Sequence, residues 1–148
     1  MLRTAYLGLA LFTVACCVWA DEPASTMSAE TEVSLSPLIL PSIRTVKIKE
    51  NGATSPAAEK VEPQCKRFRL TQPIVIDYLR TAQLVTEHDY LHALDWSPCF
   101  ASGTVYFEGG MTGVWGVQQY RAGSLKLSDG RNLYLYCPKC KSRKFSNL

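Results

Sequence analysis

The sequence predicts a small α+β domain over residues 65–140, in which one N-terminal helix packs on a four-stranded antiparallel meander stapled by disulfides. Two patterns predict this fold. Apolar residues recur with a helical period over residues 73–85, and after Cys99 they alternate in short runs that turn residues separate. Four cysteines accompany these patterns, and a domain of this size seldom holds together on one core without staples.

The first elements of the domain are a strand and the helix. We expect a half-exposed strand over residues 66–71, because polar and apolar residues alternate there. Thr71 stands where a helix cap is needed, and Pro73 fits the first turn of the helix. A second short helical turn is predicted over residues 88–94.

The meander follows from alternation and from its turns. Asp129 and Gly130 form a typical hairpin signal between the last two strands. One face of these strands is predicted to pack against the helix, and it carries Leu125, Leu127, Leu133 and Leu135. The four strands are expected over residues 100–107, 112–121, 124–128 and 132–137.

Residues 1–20 are predicted to be a cleavable secretory signal peptide. A basic start precedes a run without charge over residues 5–20, which is too short to span a bilayer comfortably. The run ends at Ala20, with Val18 two positions earlier, as a signal peptidase requires. Lipidation at Cys16 and an uncleaved membrane anchor remain open as alternatives.

Four cysteines remain after the signal, and in an oxidising compartment they are expected to form two structural disulfides. Three pairings are possible. We favour Cys99–Cys137 with Cys65–Cys140, since the first bridge would span the whole meander. The alternative is Cys65–Cys99 with a small Cys137–Cys140 loop.

Residues 21–64 are predicted to form a flexible, low-complexity tether. They carry seven acidic and four basic residues, and their first part is rich in Ser, Thr, Pro, Ala and Glu. Such a segment buries too little apolar surface to offset its ordering entropy. An apolar patch between Pro37 and Lys49 interrupts it, and the alternation over residues 44–49 leaves an added edge strand open.

The chain has 148 residues and a net charge of +3, which is too mild to indicate nucleic acid or membrane binding by itself. Basic residues nevertheless concentrate near the C-terminus, and residues 141–148 are expected to be a solvated basic tail. Its functional interpretation is docking to an acidic partner or to anionic lipid headgroups.

A string of short motifs runs from Asp95 to Cys140: DWSPC, SGTVYF, GVWGVQQY, LSDG and LYLYCPKC. In this string the chain resembles small, uncharacterised exported proteins of Gram-negative bacteria. The resemblance covers about a third of the chain. It implies a periplasmic or secreted setting, and it carries no activity that could be transferred to particular residues.

The open face of the predicted sheet is the candidate binding surface. A single helix covers only one face, so aromatic and basic side chains are expected on the other. Export argues against a nucleic acid as the ligand, although these residue types would also suit one. The candidate surface comprises Trp115, Tyr120, Lys126, Tyr134 and Tyr136.

Two chemical sites are weaker alternatives. His88 and His92 stand four residues apart with Asp95 near, a set that could bind a metal ion in a small hydrolase. Cys137 and Cys140 form a CxxC motif, but no apolar helix follows to stabilise a thiolate.

The sequence therefore predicts an exported binding module, more in keeping with a non-enzyme than with an enzyme. No catalytic residues and no cofactor are assigned. The expected partner is a protein in the envelope or outside the cell, and the concrete form is an inhibitor or immunity protein.

Overall fold

The structure is a computed structural model that describes residues 32–145. The predicted signal peptide, its Cys16 and the first part of the predicted tether lie outside the described residues. The chain forms one seven-stranded antiparallel sheet in the order β1-β3-β7-β6-β5-β4-β2. The strands are β1 Ser36–Pro37, β2 Ile43–Thr54, β3 Gln83–Val85, β4 Cys99–Phe107, β5 Thr112–Gln118, β6 Ala122–Leu127 and β7 Asn132–Tyr136. The helices are α1 Gln72–Thr81 and α2 Glu87–His92, with short 3-10 turns at Pro63–Arg67 and Glu108–Gly110.

The predicted fold class, one helix on a four-stranded meander, is wrong. Strands β4 to β7 do follow one another in the centre of the sheet, but three further strands extend it on both sides. Strand β2 is added beside β4, and β3 and β1 are added beside β7. The molecule is therefore mostly sheet, with α1 as its one substantial helix.

Strand β2 lies inside the segment that the sequence assigned to the tether. It pairs with β4 over its whole length, from Ile43 opposite Phe107 to Thr54 opposite Cys99. Val46 is buried, and Ile48 is partly buried against the core. The alternation over residues 44–49 is compatible with an added edge strand. This strand forms because pairing with β4 adds both hydrogen bonds and apolar burial.

Residues 66–71 do not form the predicted strand. The chain makes a 3-10 turn over Pro63–Arg67 and then runs irregularly, although Phe68 and Leu70 are both buried. The Asn51 side chain satisfies this stretch: its Oδ1 accepts the Leu70 N–H at 2.8 Å, and its Nδ2 donates to the Leu70 carbonyl at 2.9 Å. A side chain therefore supplies the bonds that a strand partner would have made.

Helix α1 is shorter than predicted. It starts after Thr71, whose side chain makes no capping bond, and it ends at Thr81 because Ala82 is extended. The next three residues leave the helix and pair with β7 as strand β3. The apolar residue Val85 fits both patterns, and the ladder with β7 decides between them.

The core lies between α1 and one face of the sheet. Leu125, Leu127 and Leu135 are buried there, in agreement with the predicted alternation. Trp115 is also buried, and it stands opposite Gly103 on β4. A Cβ at Gly103 would lie 1.9 Å from the Lys47 carbonyl oxygen, so only glycine lets β2 and β4 approach this closely.

The end of the described chain folds back onto this core. Phe145 is buried, and its ring centroid lies 6.1 Å from that of Phe68 and 5.8 Å from that of Tyr78. The Tyr78 hydroxyl in turn donates to the Arg121 carbonyl at 2.9 Å.

The two edges of the sheet differ in length. Strand β1 has two residues and ends in Pro37, whereas β2 has twelve residues and three irregularities in its register with β4. Short strands, proline, bulges and charged side chains all protect an edge against pairing with another chain.

No helix within residues 32–145 is both long and apolar enough to cross a membrane.

Candidate functional site

The face of the sheet opposite α1 has a row of paired residues across its centre. Strict alternation along β4 turns Ser102 away from the core. Its register partners extend the row through neighbouring strands: Glu50 on β2, Gly116 on β5, Ser124 on β6 and Tyr134 on β7. Three small residues therefore stand side by side in the middle of this face, between larger ones.

This arrangement leaves a depression, which we call the open-face groove. Its volume is about 370 Å³, within the usual range for ligand sites. Ser102, Gly116 and Ser124 lie along its centre. The other lining residues include Glu50, Pro56, Tyr90, Phe100, Val114, Gln118 and Lys126.

Helix α2 closes one side of the groove. The Thr86 hydroxyl caps this helix by accepting the Asp89 N–H at 3.0 Å. The Tyr90 ring of α2 lies 4.9 Å from the Tyr134 ring of β7, centroid to centroid. The Gln118 amide donates to the Tyr90 hydroxyl at 3.3 Å. Tyr90 and Tyr134 together form what we call the aromatic wall, and contacts from both the helix and the sheet hold it in place.

Both of these phenols are held in their neutral form. The Tyr134 hydroxyl donates to Glu87 Oε1 at 2.7 Å, and this bond raises the pKa of Tyr134. Burial raises the pKa of Tyr90, although the hydrogen bond from Gln118 acts in the opposite direction. The Tyr90 ring that lines the groove, and the Tyr134 ring beside it, are therefore uncharged at physiological pH.

Two charges of opposite sign flank the groove. On the β2 side the Glu50 carboxylate accepts a hydrogen bond from the Ser102 hydroxyl at 2.8 Å. On the β6 side Lys126 is exposed. The two residues are three strands apart, or about 14 Å at the backbone.

The structure brings some of the predicted surface residues together. Tyr134 contributes to the aromatic wall, and Lys126 lines the groove. Tyr136 lies two residues further along β7 on the same face, and Tyr120 lies in the turn between β5 and β6. Trp115 is among the residues that line the groove, but it is only 1% exposed, because odd-numbered residues of β5 face the core.

The prediction from the sequence did not include several of the residues that line the groove. Glu50 belongs to the strand that was read as tether, and Tyr90 reaches this face only through the placement of α2. Alternation from Cys99 did signal that Phe100 and Ser102 face away from the core. Only the pairing of β4, β5 and β6 reveals that small residues meet in one row.

The alternative metal site is not assembled. His88 and His92 are exposed on α2, with ring centroids 4.9 Å apart, and Asp95 is exposed in the following loop. Across residues 32–145, no three His, Cys, Asp or Glu side chains are grouped in a way that could hold a metal ion.

The disulfides are Cys65–Cys99 and Cys137–Cys140, so the favoured pairing of Cys99 with Cys137 and Cys65 with Cys140 is wrong. Cys99 opens β4 and Cys137 follows β7, and these strands are three positions apart in the sheet, about 14 Å. A disulfide requires Cα atoms within about 7 Å. The two bridges indicate an oxidising, extracytoplasmic environment.

The CxxC disulfide is enclosed by the fold. Cys137 and Cys140 are 0% and 3% exposed. Reactive cysteines are partly exposed, whereas buried ones serve structure. This burial favours a structural role for the pair over the thiol–disulfide alternative.

No protein-family model, no curated protein and no solved structure matches the chain.

Proposed function

We propose that this chain is an exported binding module that holds a partner protein on the open face of its sheet. It acts in the periplasm or outside the cell. In its concrete form it is an inhibitor or immunity protein that blocks an envelope toxin or hydrolase. The observation that carries the proposal is the open-face groove, with its floor of small side chains and its fixed aromatic wall.

The shape of the groove suits a side chain from a partner. Binding energy at protein interfaces concentrates where a large side chain fills a well-packed pocket. A row of Ser and Gly leaves room for such a side chain, and Tyr90 and Phe100 offer it aromatic contact. The floor lies in the paired central strands β4, β5 and β6, and a floor that is already ordered reduces the entropy lost on binding.

Exposed apolar side chains belong to the groove lining or are chain neighbours of lining residues. Val114 lines the groove and is 60% exposed. Leu91 on α2 and Trp96 in the following loop are 60% and 51% exposed. Leu91 and Trp96 directly adjoin the lining residues Tyr90 and Ser97 in the chain, and exposed apolar groups are typical of protein interaction sites.

The charges give the partner an orientation. Glu50 and Lys126 stand on opposite sides of the groove, and rim charges steer association and select partners more than they add affinity. A complementary partner has an apolar or aromatic anchor, with a cationic group on the β2 side and an anionic group on the β6 side.

Site-specific photo-cross-linking in the native host tests this proposal. With the cross-linker at Val114, we expect one discrete protein adduct. The matched control is Ile39, an apolar residue that is 84% exposed outside the groove, and it is expected to give no such adduct.

A groove-filling variant decides whether the adduct depends on the groove. Gly116→Leu places a side chain in the groove, and its Cβ meets nothing closer than Ser124 Oγ at 3.6 Å, so the fold is expected to persist. We expect the Val114 adduct to fall at least tenfold. An adduct that is unchanged by Gly116→Leu, or equally strong from Ile39, would contradict the proposal.

A further inference from the structure

Asn51 and Gly52 stand next to each other near the end of strand β2. In an unfolded chain such a pair is chemically reactive, because glycine has no side chain to keep its backbone nitrogen away from the asparagine amide. Asparagine is accordingly among the thermolabile residues of proteins. Whether this pair reacts therefore depends on what the fold does to it.

The reaction forms a ring and releases ammonia. The backbone nitrogen of Gly52 attacks the side-chain carbonyl carbon of Asn51 and gives up its proton. The bond from that carbon to the side-chain nitrogen breaks, and the nitrogen leaves as ammonia with the displaced proton. Water then opens the succinimide ring at either carbonyl and leaves an aspartyl or an isoaspartyl residue. Water is thus the co-reactant that completes the balance.

In the folded chain the Asn51 amide is held away from this reaction. Its Oδ1 accepts the Leu70 N–H at 2.8 Å, and its Nδ2 donates to the Leu70 carbonyl at 2.9 Å. To meet the Gly52 nitrogen, the amide would have to turn and break both of these bonds. The folded state therefore protects the side chain from attack.

Residues 63–71 close over the pair. A Cβ on Gly52 would lie 2.6 Å from the Cys65 carbonyl oxygen and 3.1 Å from the Phe68 carbonyl oxygen. The disulfide from Cys65 to Cys99 ties this segment to the first residue of β4. Freeing the Asn51 side chain therefore requires residues 63–71 to move away from β2, and the disulfide opposes that movement.

Neither product fits the position that the amide occupies. An aspartyl carboxylate accepts a hydrogen bond but has none to donate, so the carbonyl of Leu70, which is 2% exposed, loses its partner. An isoaspartyl residue runs the backbone through its side chain and lengthens it by a carbon atom. Because β2 pairs with β4 on both sides of this position, at Glu50 and at Ala53, a longer backbone disturbs the register.

We propose that Asn51–Gly52 is a deamidation site that the fold protects, and that its reaction makes unfolding of this protein irreversible. A chain that loses the Cys65–Cys99 bridge and unfolds exposes the pair, and after deamidation it no longer restores the contact between β2 and residues 63–71. Chemical change in the unfolded state is a general cause of irreversible unfolding. The proposal requires neither the open-face groove nor a partner protein.

Peptide mapping of the purified, disulfide-bonded protein tests the protection. One sample is kept in mildly alkaline native buffer, and the other in the same buffer with urea and a phosphine reductant. We expect the amide of Asn51 to be replaced by a carboxyl group in the unfolded sample alone. Asn132 is the control within the same chain, because it precedes Leu133 rather than glycine and is expected to react more slowly.

Refolding tests whether the change is irreversible. Chains that are reoxidised and freed of urea before they react are expected to regain the native amide NMR spectrum, and deamidated chains are not. The variant Asn51→Asp reproduces one product directly, and we expect amide hydrogen exchange at Leu70 to be about tenfold faster. The matched control Asn132→Asp makes the same change at an exposed position and should leave that exchange unaltered.

Removal of each disulfide tests the role of the bridge. In native buffer, Cys65→Ala/Cys99→Ala is expected to accelerate deamidation about 100-fold, because the loop that this bridge closes is long. Cys137→Ala/Cys140→Ala should accelerate it about tenfold at most. If the first variant does not fold, its rate should equal that of the unfolded parent.

Four results would overturn the proposal. The folded parent could react as fast as the unfolded chain, or Asn132 as fast as Asn51 in urea. Deamidated chains could regain the native spectrum in full. Finally, the two disulfide variants could react at the same rate, which would mean that the Cys65–Cys99 bridge does not control access to the site.

Discussion

The meander and the segment before it are held in the sheet by different kinds of contact. Strands β4 to β7 are neighbours both in the chain and in the sheet, joined by short turns. Strand β2 pairs with β4 although more than forty residues, including α1 and β3, separate them along the chain. Close backbone approach at Gly103, the Cys65–Cys99 bridge and the bonds of Asn51 hold this second region.

This difference has a thermodynamic reason. A short hairpin loop costs little entropy to close, so local pairings form from local signals alone. A distant strand must offset a larger closure cost, and specific contacts and a covalent staple help it to do so. Perturbing those contacts is therefore expected to loosen β2 and residues 63–71 before it affects the meander.

The largest effect is expected from Gly103→Ala. The new Cβ would lie 1.9 Å from the Lys47 carbonyl oxygen and 2.8 Å from Trp115 Cζ2, and backbone cannot move away without parting β2 from β4. We expect the free energy of unfolding to fall by about 4 kcal/mol or more, measured by urea titration. The control Gly116→Ala faces the groove, and its effect should stay within about 0.5 kcal/mol. Equal effects would mean that β2 is not tightly docked.

The second-largest effect is the stability lost when a disulfide is removed, and it is expected to differ between the two disulfides. Cys65–Cys99 closes a loop with a sequence separation of 34, so replacing both cysteines by Ala should cost about 3–4 kcal/mol. Cys137–Cys140 has a separation of only 3, and the same change there should cost about 1–2 kcal/mol. Thermal unfolding of the two double variants measures the order, and a reversed order would refute this account of β2.

The third effect is the stability lost when Asn51 is replaced, because its side chain makes the hydrogen bonds that a neighbouring strand would otherwise make with Leu70. Asn51→Ala leaves the half-buried N–H and C=O of Leu70 without the bonds that Asn51 supplies. We expect a loss of about 2 kcal/mol and faster amide hydrogen exchange at Leu70. Asn132→Ala, at an exposed position on β7, is the control and should change stability by less than about 0.5 kcal/mol. Unaltered exchange at Leu70 would argue against this role of Asn51.

The smallest effect is a pH dependence at the contact between α1 and the meander. Burial raises the pKa of Tyr78 well above its usual 10.0. Above about pH 10 the Tyr78 phenol ionises in the unfolded chain but stays neutral in the folded protein. The free energy of unfolding therefore falls as pH rises, by about 1.4 kcal/mol at pH 11. Tyr78→Phe should lack this decrement in urea midpoints compared between pH 9 and 11. Parallel pH profiles of parent and variant would show that Tyr78 is not the group responsible.

The same division explains how much of the fold the sequence could predict. In the meander, alternation and the Asp129-Gly130 signal locate strands and turns, because these choices depend on neighbouring residues. In β2, charged residues and the Asn51-Gly52 pair look like linker. The φ of Gly52 is +74°, and a Cβ there would lie 2.6 Å from the Cys65 carbonyl oxygen. The glycine thus admits another backbone beside the strand rather than forming a turn, which no local pattern reveals.

The candidate site divides in a similar way. Tyr134 and Lys126 could be predicted as residues of the uncovered face, since both lie in the meander. Glu50 and Tyr90 could not, because each depends on where a distant element packs. Trp115 is expected on the uncovered face from its residue type, whereas the alternation of β5 leaves it only 1% exposed.

The unequal edges of the sheet limit how copies of this protein could join. On one side, the two residues of β1 and its Pro37 give an incoming strand almost no backbone groups to pair with. Of the described strands, only the twelve-residue β2 offers a long outer edge. Two molecules that met through β2 would each use up that edge, so such an assembly closes as a two-fold pair and cannot propagate into a fibre.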